Sequence, residues 1–200
     1  MLPEPQNKRV AAFVDGQNLF NAAKKAFGYD FPNYDPIRLA KLVCEQQTLW
    51  TLIKLHFYTG MPSRTKDEPR HRFWEAKIAA MGKNKKLVQT FSRPLVYRNG
   101  TAQEKGIDVK LTIDAVRLAH ENKYDVALIF SQDQDFTELA TEIRRIAASQ
   151  NRWVKVASAY PVSSQSENKI GINNTDWIAI NRILYDQAID PNDYRKPTGK

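Results

Sequence analysis

The feature of this chain that most constrains its fold is a short apolar run that leads into acidic residues. Val126–Phe130 contains no polar side chain, and Asp133 and Asp135 follow it, just before a pattern typical of a helix. A run of this length predicts a strand buried on both faces, as in a parallel sheet covered by helices. In open parallel sheets, ligands bind just outside the carboxyl ends of the strands. The two aspartates therefore lie where a ligand is expected.

A second predicted strand ends in the same way. Arg9–Val14 leads directly into Asp15, and Asn18 lies three residues further on. Parallel strands would bring Asp15 and Asp133 to the same edge of a sheet. Two carboxylates about 4 Å apart repel by roughly 4 kcal/mol at an effective dielectric constant of 20. A hard cation such as Mg²⁺ or Mn²⁺ removes that repulsion because it takes oxygen ligands, so the sequence predicts a metal centre.

Strands alternate with helices along the chain, which predicts an α/β fold with a central, mainly parallel sheet. We expect one domain over residues 9–190, between short tails at 1–8 and 191–200, with disorder from 195 onward.

Leu52–Tyr58 is expected to place Ile53, Leu55 and Phe57 on one face. Residues 98–101 are interpreted as a loop. The predicted strands are 9–14, 52–58, 86–91, 126–130 and 153–157, and the predicted helices are 19–27, 36–47, 70–81, 108–122, 136–149 and 177–187.

Composition limits the class of protein. The chain has 200 residues, of which 42% are hydrophobic, enough for one substantial core. Its single cysteine, Cys44, excludes an internal disulfide, and the histidines show no zinc-site spacing. No segment resembles a signal peptide or a membrane span, and no phosphate-binding glycine motif is present. A soluble, cytoplasmic protein is expected.

Positive charge is concentrated in one segment. The chain has a net charge of +8, and residues 61–105, with eleven Lys or Arg and four Asp or Glu, carry +7 of it. Phe73, Trp74, Phe91 and Tyr97 are interleaved with these cations. Cations that contact phosphates, together with rings that stack on bases, are typical of a site for single-stranded nucleic acid. The alternative is a basic surface over a core that contains the aromatic residues. The cations expected to guide a substrate include Arg64, Arg70, Arg72, Lys83, Lys85 and Lys86.

Asp108 and Asp114 lie on the same predicted helix. On a helical wheel that starts at Val109, Asp108 falls within the apolar arc at the first turn. An inward carboxylate is costly unless it is paired or bound to a metal, and the alternative is that it stabilises the helix N-terminus. Asp114 shares the polar arc with Lys110 and Arg117, so we expect it at the surface or behind a ligand.

Capping offers another explanation for Asp135 and for Asn18. Asp135 and Glu138 have the spacing of a capping box, so Asp135 either caps a helix or binds a ligand. Asp133 has no such alternative and is the stronger candidate ligand. Asn18 is expected either to cap the first helix or to orient a water molecule or a phosphate.

Three segments resemble, in order, the signatures of NYN-domain proteins, which belong to the PIN-like nuclease superfamily. They are residues 13–18 (FVDGQN), 105–114 (KGIDVKLTID) and 131–136 (SQDQDF), within a likeness that covers about residues 9–160. The resemblance implies a three-layer PIN-like sandwich and RNA cleavage that depends on Mg²⁺ or Mn²⁺. It further implies an acidic centre of Asp15, Asp108, Asp133 and Asp135, with Asn18 beside it and Lys105 near a substrate phosphate.

This chain departs from the resembled pattern at two positions. Gln132 and Gln134 stand where that pattern has small residues, which bears on substrate access more than on metal binding. Asp176, in the last segment, is a weak further candidate.

The hypothesis that follows is a metal-dependent endoribonuclease whose partner is single-stranded RNA. No membrane partner is expected, and a homo-oligomer is left open. One alternative is an RNA-binding or regulatory module without turnover, and another is a phosphatase or nucleotide hydrolase that acts on small substrates.

Overall fold

A computed structural model describes residues 3–99 and 101–195, in which strands and helices alternate as the sequence predicts. The strands are β1 (Lys8–Asp15), β2 (Trp50–Met61), β3 (Val88–Pro94), β4 (Val96–Arg98), β5 (Thr101–Gln103), β6 (Val126–Phe130), β7 (Lys155–Pro161) and β8 (Asp176–Ile180). The α-helices are α1 (Gly16–Phe27), α2 (Pro36–Glu45), α3 (Glu68–Met81), α4 (Ile107–His120), α5 (Thr137–Ser149) and α6 (Arg182–Gln187). Single turns of 3₁₀-helix lie at Gly82–Asn84 and Gln134–Phe136.

Six strands form one sheet in the order β3-β2-β1-β6-β7-β8, and each neighbouring pair is parallel. β4 and β5 form a separate antiparallel hairpin. The chain moves outward in one direction from β1 to β3 and in the other direction from β6 to β8. The order therefore reverses between β1 and β6, and a crevice outside their carboxyl ends is the expected ligand site in such a sheet.

Helices cover both faces of the sheet and give three layers. Leu19, Leu39 and Trp74, from α1, α2 and α3, belong to the core on one face. Leu111 and Ile143, from α4 and α5, belong to the core on the other face. A parallel sheet is stable only when both faces are buried in this way. The predicted α/β sandwich with a parallel sheet is confirmed.

Local signals set several helix ends. The Asp35 carboxylate accepts hydrogen bonds from the N–H groups of Ile37 and Arg38, so the predicted cap before Pro36 is confirmed. Gly28 ends α1 with φ of +71°, a conformation that glycine adopts without steric cost.

The predicted last helix is wrong over its first four residues. Asp176–Ile180 is the edge strand β8, which pairs with β7, and only Arg182–Gln187 is helical. Ile178 and Ile180 of this strand pack into the core. Periodicity alone does not separate a short apolar strand from a helical turn, and pairing with β7 decides the outcome.

A β-bulge overturns the expected alternation in β2. The register between β1 and β2 shifts at Val10 and Ala11, whose partners are Leu52 and Lys54. Ile53 is the extra residue and is 37% exposed, whereas Leu55 is fully buried. A bulge changes the face of the residues before it, so Ile53 does not share a face with Leu55.

The predicted loop at 98–101 is part of a hairpin, because Arg98 pairs with Thr101; Gly100 lies outside the described residues. Of the tail predicted to be disordered, residues 196–200 also lie outside them, and the Arg195 guanidinium is 4.4 Å from the Phe31 ring centroid. No helix within the described ranges is both long and apolar enough to span a membrane.

Candidate functional site

Asp15 is fixed by the residues on either side of it. It ends β1, is 8% exposed, and accepts a hydrogen bond from the N–H of Asn18 at 3.1 Å, which caps α1. A Cβ at Gly16 would lie 2.6 Å from the Phe57 ring and 2.9 Å from the Tyr58 carbonyl oxygen. Only glycine permits so close an approach of α1 to β2. The Asp15 carboxylate therefore has little freedom to move.

Asn18 links the ends of β1 and β6. Its side-chain oxygen accepts a hydrogen bond from the backbone N–H of Gln132 at 3.3 Å. Asp15, and not Asn18, caps α1, so the predicted capping role of Asn18 is wrong. The amide joins the loop that carries Asp15 to the loop that carries Asp133.

Asp133 follows β6 and begins the 3₁₀ turn at Gln134–Phe136. Its carboxylate accepts a hydrogen bond from the N–H of Asp135 at 3.1 Å, and its own N–H donates to the Ser131 hydroxyl at 3.1 Å. Asp135 was the expected cap, but Asp133 caps the 3₁₀ turn instead, and α5 begins without a side-chain cap. The extra 3₁₀ turn causes this difference. Asp135 is exposed.

Four carboxylates share one electrostatic neighbourhood around Asp15. The pKa of Asp15 is raised to about 7, and burial is the largest cause. The hydrogen bond from Asn18 opposes this shift, whereas the negative charges of Glu104, Asp133 and Asp108 contribute to it, in that order. The structure thus brings the predicted Asp15, Asp108 and Asp133 together. Asp135 is not among the charges that act on Asp15.

Glu104 is the acidic residue that sequence reasoning missed. Its carboxylate accepts a hydrogen bond from the N–H of Gly60, near the carboxyl end of β2. Burial raises the pKa of Glu104, the Gly60 hydrogen bond lowers it, Asp108 raises it and Arg70 lowers it. Glu104 lies between the β4–β5 hairpin and α4. It does not follow a predicted strand, so the pattern of acidic residues after strands does not identify it. Its position just before the segment at 105–114 was the available signal.

Asp108 lies on the first turn of α4 but is exposed, so its predicted inward position is wrong. The buried residues of α4 include Ile107, Leu111, Ala115 and Ala119, a narrow stripe with a spacing of four. Other apolar residues of the helix, such as Ile113 at 55% exposure, face outward. The apolar arc on the helical wheel was therefore wider than the face that packs on the sheet.

Asp114 is 3% exposed, so of its two predicted positions the one at the surface is wrong. Its carboxylate accepts hydrogen bonds from the Tyr58 hydroxyl at 3.0 Å and from Lys110 at 2.6 Å. The predicted pairing with Lys110 is confirmed, and Arg117 lies 3.8 Å away. Tyr58, on β2, is a nonlocal partner that helical spacing does not reveal. Asp114 therefore joins α4 to the sheet.

The cations predicted to contact substrate divide between two edges of the sheet. Arg64 follows β2, Arg70 and Arg72 lie at the start of α3, and Lys105 immediately precedes Gly106 at the start of α4. All four are exposed and lie on the side of the carboxyl ends of β2 and β3. Arg93, at the end of β3, adds a cation 5.6 Å from the Phe91 ring centroid. These five residues, Arg64, Arg70, Arg72, Arg93 and Lys105, are called the rim cations below.

Lys83, Lys85 and Lys86 lie at the opposite edge, just before the amino end of β3. Lys54 donates hydrogen bonds to the carbonyl oxygens of Lys85 and Lys86, and Lys54 pairs with Ala11, four residues before Asp15. These lysines therefore lie at the edge of the sheet opposite the acidic residues. Their position does not support the predicted contact with substrate beside those residues. Asp176 is also remote, since it begins β8 and forms an ion pair with Lys155 at 2.8 Å.

The aromatic residues of the basic segment are divided as well. Phe73 and Trp74 are buried, as the structural alternative predicted. Phe91 and Tyr97 are half-buried, and the Lys66 ammonium lies 4.5 Å from the centroid of the Tyr97 ring. Phe91 pairs with Tyr58 across β2 and β3, at the level of Asp15.

Comparison with known proteins identifies the family. A family model described as the NYN domain matches residues 9–175, which is most of the chain. The chain belongs to the NYN-domain family. This NYN domain is accordingly a member of the PIN-like nuclease group.

Two individual proteins are similar to this NYN domain. The low amplitude and bright protein LabA of Synechococcus elongatus is 28% identical over 141 residues, which is 68% of each chain. A crystal structure of a protein of unknown function from Vibrio parahaemolyticus superposes with a TM-score of 0.55 at 19% identity. That match covers 90% of this chain and 98% of the Vibrio chain, and it supports the fold alone.

The side chains at the centre of the NYN domain offer the type of ligand atom that a hard divalent cation takes. All four carry carboxylate oxygens, the ligands that Mg²⁺ and Mn²⁺ prefer. Within the described chain, no Lys, Arg or His forms an ion pair with Asp15, Glu104, Asp108 or Asp133. The pKa of Asp15 is raised first by burial and then by the neighbouring carboxylates, and no adjacent cation among the described residues offsets either effect.

The carboxylates are neighbours but not a finished set of ligands. As they stand, no group of three or more His, Cys, Asp or Glu side chains in residues 3–99 and 101–195 is arranged to hold a metal ion. Repulsion between like charges favours this separation.

The two glutamines that depart from the resembled pattern both fasten the segment that precedes β8. Gln132 donates from its side chain to the Ile170 carbonyl oxygen at 2.9 Å. Gln134 donates to the Gly171 carbonyl oxygen at 3.0 Å and accepts from the N–H of Asn173 at 3.0 Å. Residues 163–174 are thereby attached to the loop that carries Asp133.

Proposed function

We propose that this NYN domain is a metal-dependent endoribonuclease that uses Mg²⁺ or Mn²⁺ to hydrolyse phosphodiester bonds in single-stranded RNA. The observation that carries the proposal is Asp15, a buried carboxylate with its pKa raised to about 7 among Glu104, Asp133 and Asp108. The group lies where the strand order reverses, between β1 and β6. A divalent cation would offset its negative charge, and membership of the nuclease-related NYN family supports the proposal.

The proposed roles follow from the position of each residue. Asp15, Glu104, Asp108 and Asp133 would hold the cation, with Asp135 as an exposed carboxylate at the margin. Asn18 holds the two acidic loops together through its bond to Gln132. When bound, the cation would act as a Lewis acid that lowers the pKa of a water molecule and neutralises charge on the scissile phosphate.

The rim cations supply a binding surface for the polyanion. The positive charge of Arg70 lowers the pKa of Glu104, so Arg70 is close enough to the acidic group to act on its charge. Arg64, Arg93 and Lys105 extend the positive charge along the same edge of the sheet. Phosphates held there would pass next to Asp15 and Glu104.

Cleavage of single-stranded RNA with Mn²⁺ tests the proposal, with wild type compared with Asp133→Asn. We expect turnover to fall by at least about a hundredfold in the variant, because a charged ligand is lost. Asp176→Asn is the matched control, since Asp176 pairs with Lys155 away from the centre. Undiminished activity in Asp133→Asn, or cleavage that persists in excess chelator, would contradict the proposal.

A second candidate function is an RNA-binding or regulatory NYN module without turnover. It is favoured by Gln132 and Gln134, which are larger than the residues of the resembled pattern and fasten residues 163–174 beside Asp133. This alternative predicts salt-dependent binding of RNA with no cleavage in Mg²⁺ or Mn²⁺. Measuring binding and turnover on the same RNA separates the two.

A further inference from the structure

A groove of about 400 Å³ lies beside the loop that carries Asp133, on the side of β7 and away from the rim cations. It lies between the outer face of α1, at Ala22 and Lys25, and residues 165–168, which follow β7. Gln132 also lines it, and Gln132 is bonded directly to Asp133. A ligand in this groove would therefore lie next to the candidate metal ligands. The volume is in the range of small-molecule sites.

The outer wall of the groove is held in place by several bonds. Gln132 fastens it through the Ile170 carbonyl oxygen. The Tyr160 hydroxyl donates to the Lys169 carbonyl oxygen at 3.0 Å, and the Lys169 ammonium donates to the Ser164 carbonyl oxygen at 3.0 Å. A wall that is already ordered binds a ligand with a smaller loss of entropy.

The chemistry of the groove differs from that of the rim cations. Its lining includes the amides of Gln132, Gln165 and Asn168, with Lys25 and Glu167 as the charged groups. None of the nine lining residues is aromatic. Within residues 3–99 and 101–195, the side chains of Lys25, Gln165 and Glu167 form no hydrogen bond or ion pair, so they are free to bind a ligand.

We infer that the groove binds one nucleotide of the RNA chain, with its base and ribose against the amides and a phosphate near Lys25. This inference rests on the proposed function. It assigns a contact to the part of the RNA that lies on the side of the scissile bond away from the rim cations. Amides recognise the hydrogen-bonding edges of unstacked bases, whereas aromatic rings stack on any base. Because the lining offers amides and no rings, the groove discriminates between bases.

Titration with the four ribonucleoside 5′-monophosphates, followed by ¹H–¹⁵N NMR in excess chelator, tests the inference. We expect at least one nucleotide to shift the side-chain amide signals of Gln165 and Asn168, with a dissociation constant of about 1 mM or tighter. The double substitution Lys25→Ala and Gln165→Ala should weaken that binding about tenfold. Both side chains are free of protein partners, so the fold should be preserved.

Two further variants sharpen the test. Ala22→Phe should fill the groove and abolish the shifts, since Ala22 lines it and is half-buried. Lys24→Ala is the control, because Lys24 is exposed on the same helix but does not line the groove. The inference is overturned if no nucleotide shifts these amides, if the four bind equally, or if the Lys24 variant weakens binding as much as the double variant.

Failure of the groove and failure of the nuclease proposal give different results. Nucleotide binding in chelator without cleavage of RNA in Mn²⁺ would overturn the nuclease function and support the groove. Cleavage without selective nucleotide binding would overturn the groove and support the nuclease function.

Discussion

At the scale of single residues, Asp15 combines burial with like charges. Its carboxylate is 8% exposed, and Glu104, Asp133 and Asp108 all make its ionisation less favourable. The folded pKa of about 7 lies above the ordinary value of 3.8. The folded state therefore binds a proton between about pH 4 and pH 7 that the unfolded chain has released, and stability falls as pH rises through this window.

Asp15→Asn should consequently stabilise the metal-free protein at pH 8. Asparagine keeps an oxygen that accepts from the Asn18 N–H and removes the buried charge. We expect a gain of about 1–3 kcal/mol in the free energy of unfolding and loss of Mn²⁺-dependent cleavage. Urea denaturation in chelator at pH 5 and pH 8 measures the gain, which should be small at pH 5.

Asp125→Asn provides the contrasting control. The Arg9 guanidinium and backbone N–H lower the pKa of Asp125, so its charge stabilises the fold at pH 8. This variant should lose stability at pH 8. If Asp15→Asn were also less stable than wild type at pH 8, the proposed cost of the Asp15 charge would be wrong.

Which site residues the sequence predicts depends on how local their partners are. Asp15 and Asp133 follow apolar runs, so parallel pairing alone places them at one edge. Glu104 and Asp114 depend instead on Gly60 and Tyr58, two residues of β2 that are more than forty positions away. No local pattern encodes contacts of this kind, so the sequence alone neither points to Glu104 nor decides whether Asp114 is exposed or buried.

At the scale of elements, the segment at 163–174 is held in place by side chains from a distant part of the chain. Gln132 and Gln134 form hydrogen bonds with its backbone at four residues, Asn168, Ile170, Gly171 and Asn173. Loops that lack such partners exchange their amides readily. Two glutamines at the end of β6 thus determine the shape of a segment that is more than thirty residues away.

Gln134→Ala should loosen this segment without unfolding the domain. The Asn173 N–H loses its acceptor, so its hydrogen exchange should accelerate about tenfold. Hydrogen exchange measured by NMR tests this directly. Gln150→Ala is the control, because Gln150 donates to the His120 carbonyl oxygen elsewhere. Unchanged exchange at Asn173 in the Gln134 variant would refute the role given to this glutamine.

Predicted elements are correct where a capping residue and a periodic pattern agree, as for α2 after Asp35. They are wrong where tertiary pairing decides. Residues 176–180 become β8 because β7 offers an unpaired edge, and Ile53 turns outward because β1 and β2 pair through a bulge. Neither event leaves a signal in the segment itself.

At the scale of the whole molecule, cations that are close in sequence lie at opposite edges of the sheet. α3 begins near the carboxyl end of β2 and leads to the amino end of β3. Arg70, near its start, therefore lies at the acidic edge, whereas Lys83 and Lys85 lie beyond its end. The +7 segment is typical of a protein that binds a polyanion, but its sequence does not show which cations share one edge of the sheet.

Two double variants, one at each edge, test this division. Each removes two positive charges, so the two variants have the same net charge. Arg70→Ala with Lys105→Ala should weaken binding of single-stranded RNA and reduce the dependence on log salt by about 0.7 for each lost contact. Lys83→Ala with Lys85→Ala should have little effect. Fluorescence anisotropy across a salt series measures both. Equal weakening in the two double variants would show that the far edge also binds RNA.

The amide of Asn18 joins the two halves of the sheet that diverge from β1 and β6. This bond adds to the direct pairing of β1 with β6 and sets how the loop of Asp15 lies against the loop of Asp133. Under the proposed function, exchanging Asn18 for a longer or shorter residue would change the affinity for a divalent cation while every ligand stayed in place. The strength of metal binding would then respond to a residue outside the ligand set.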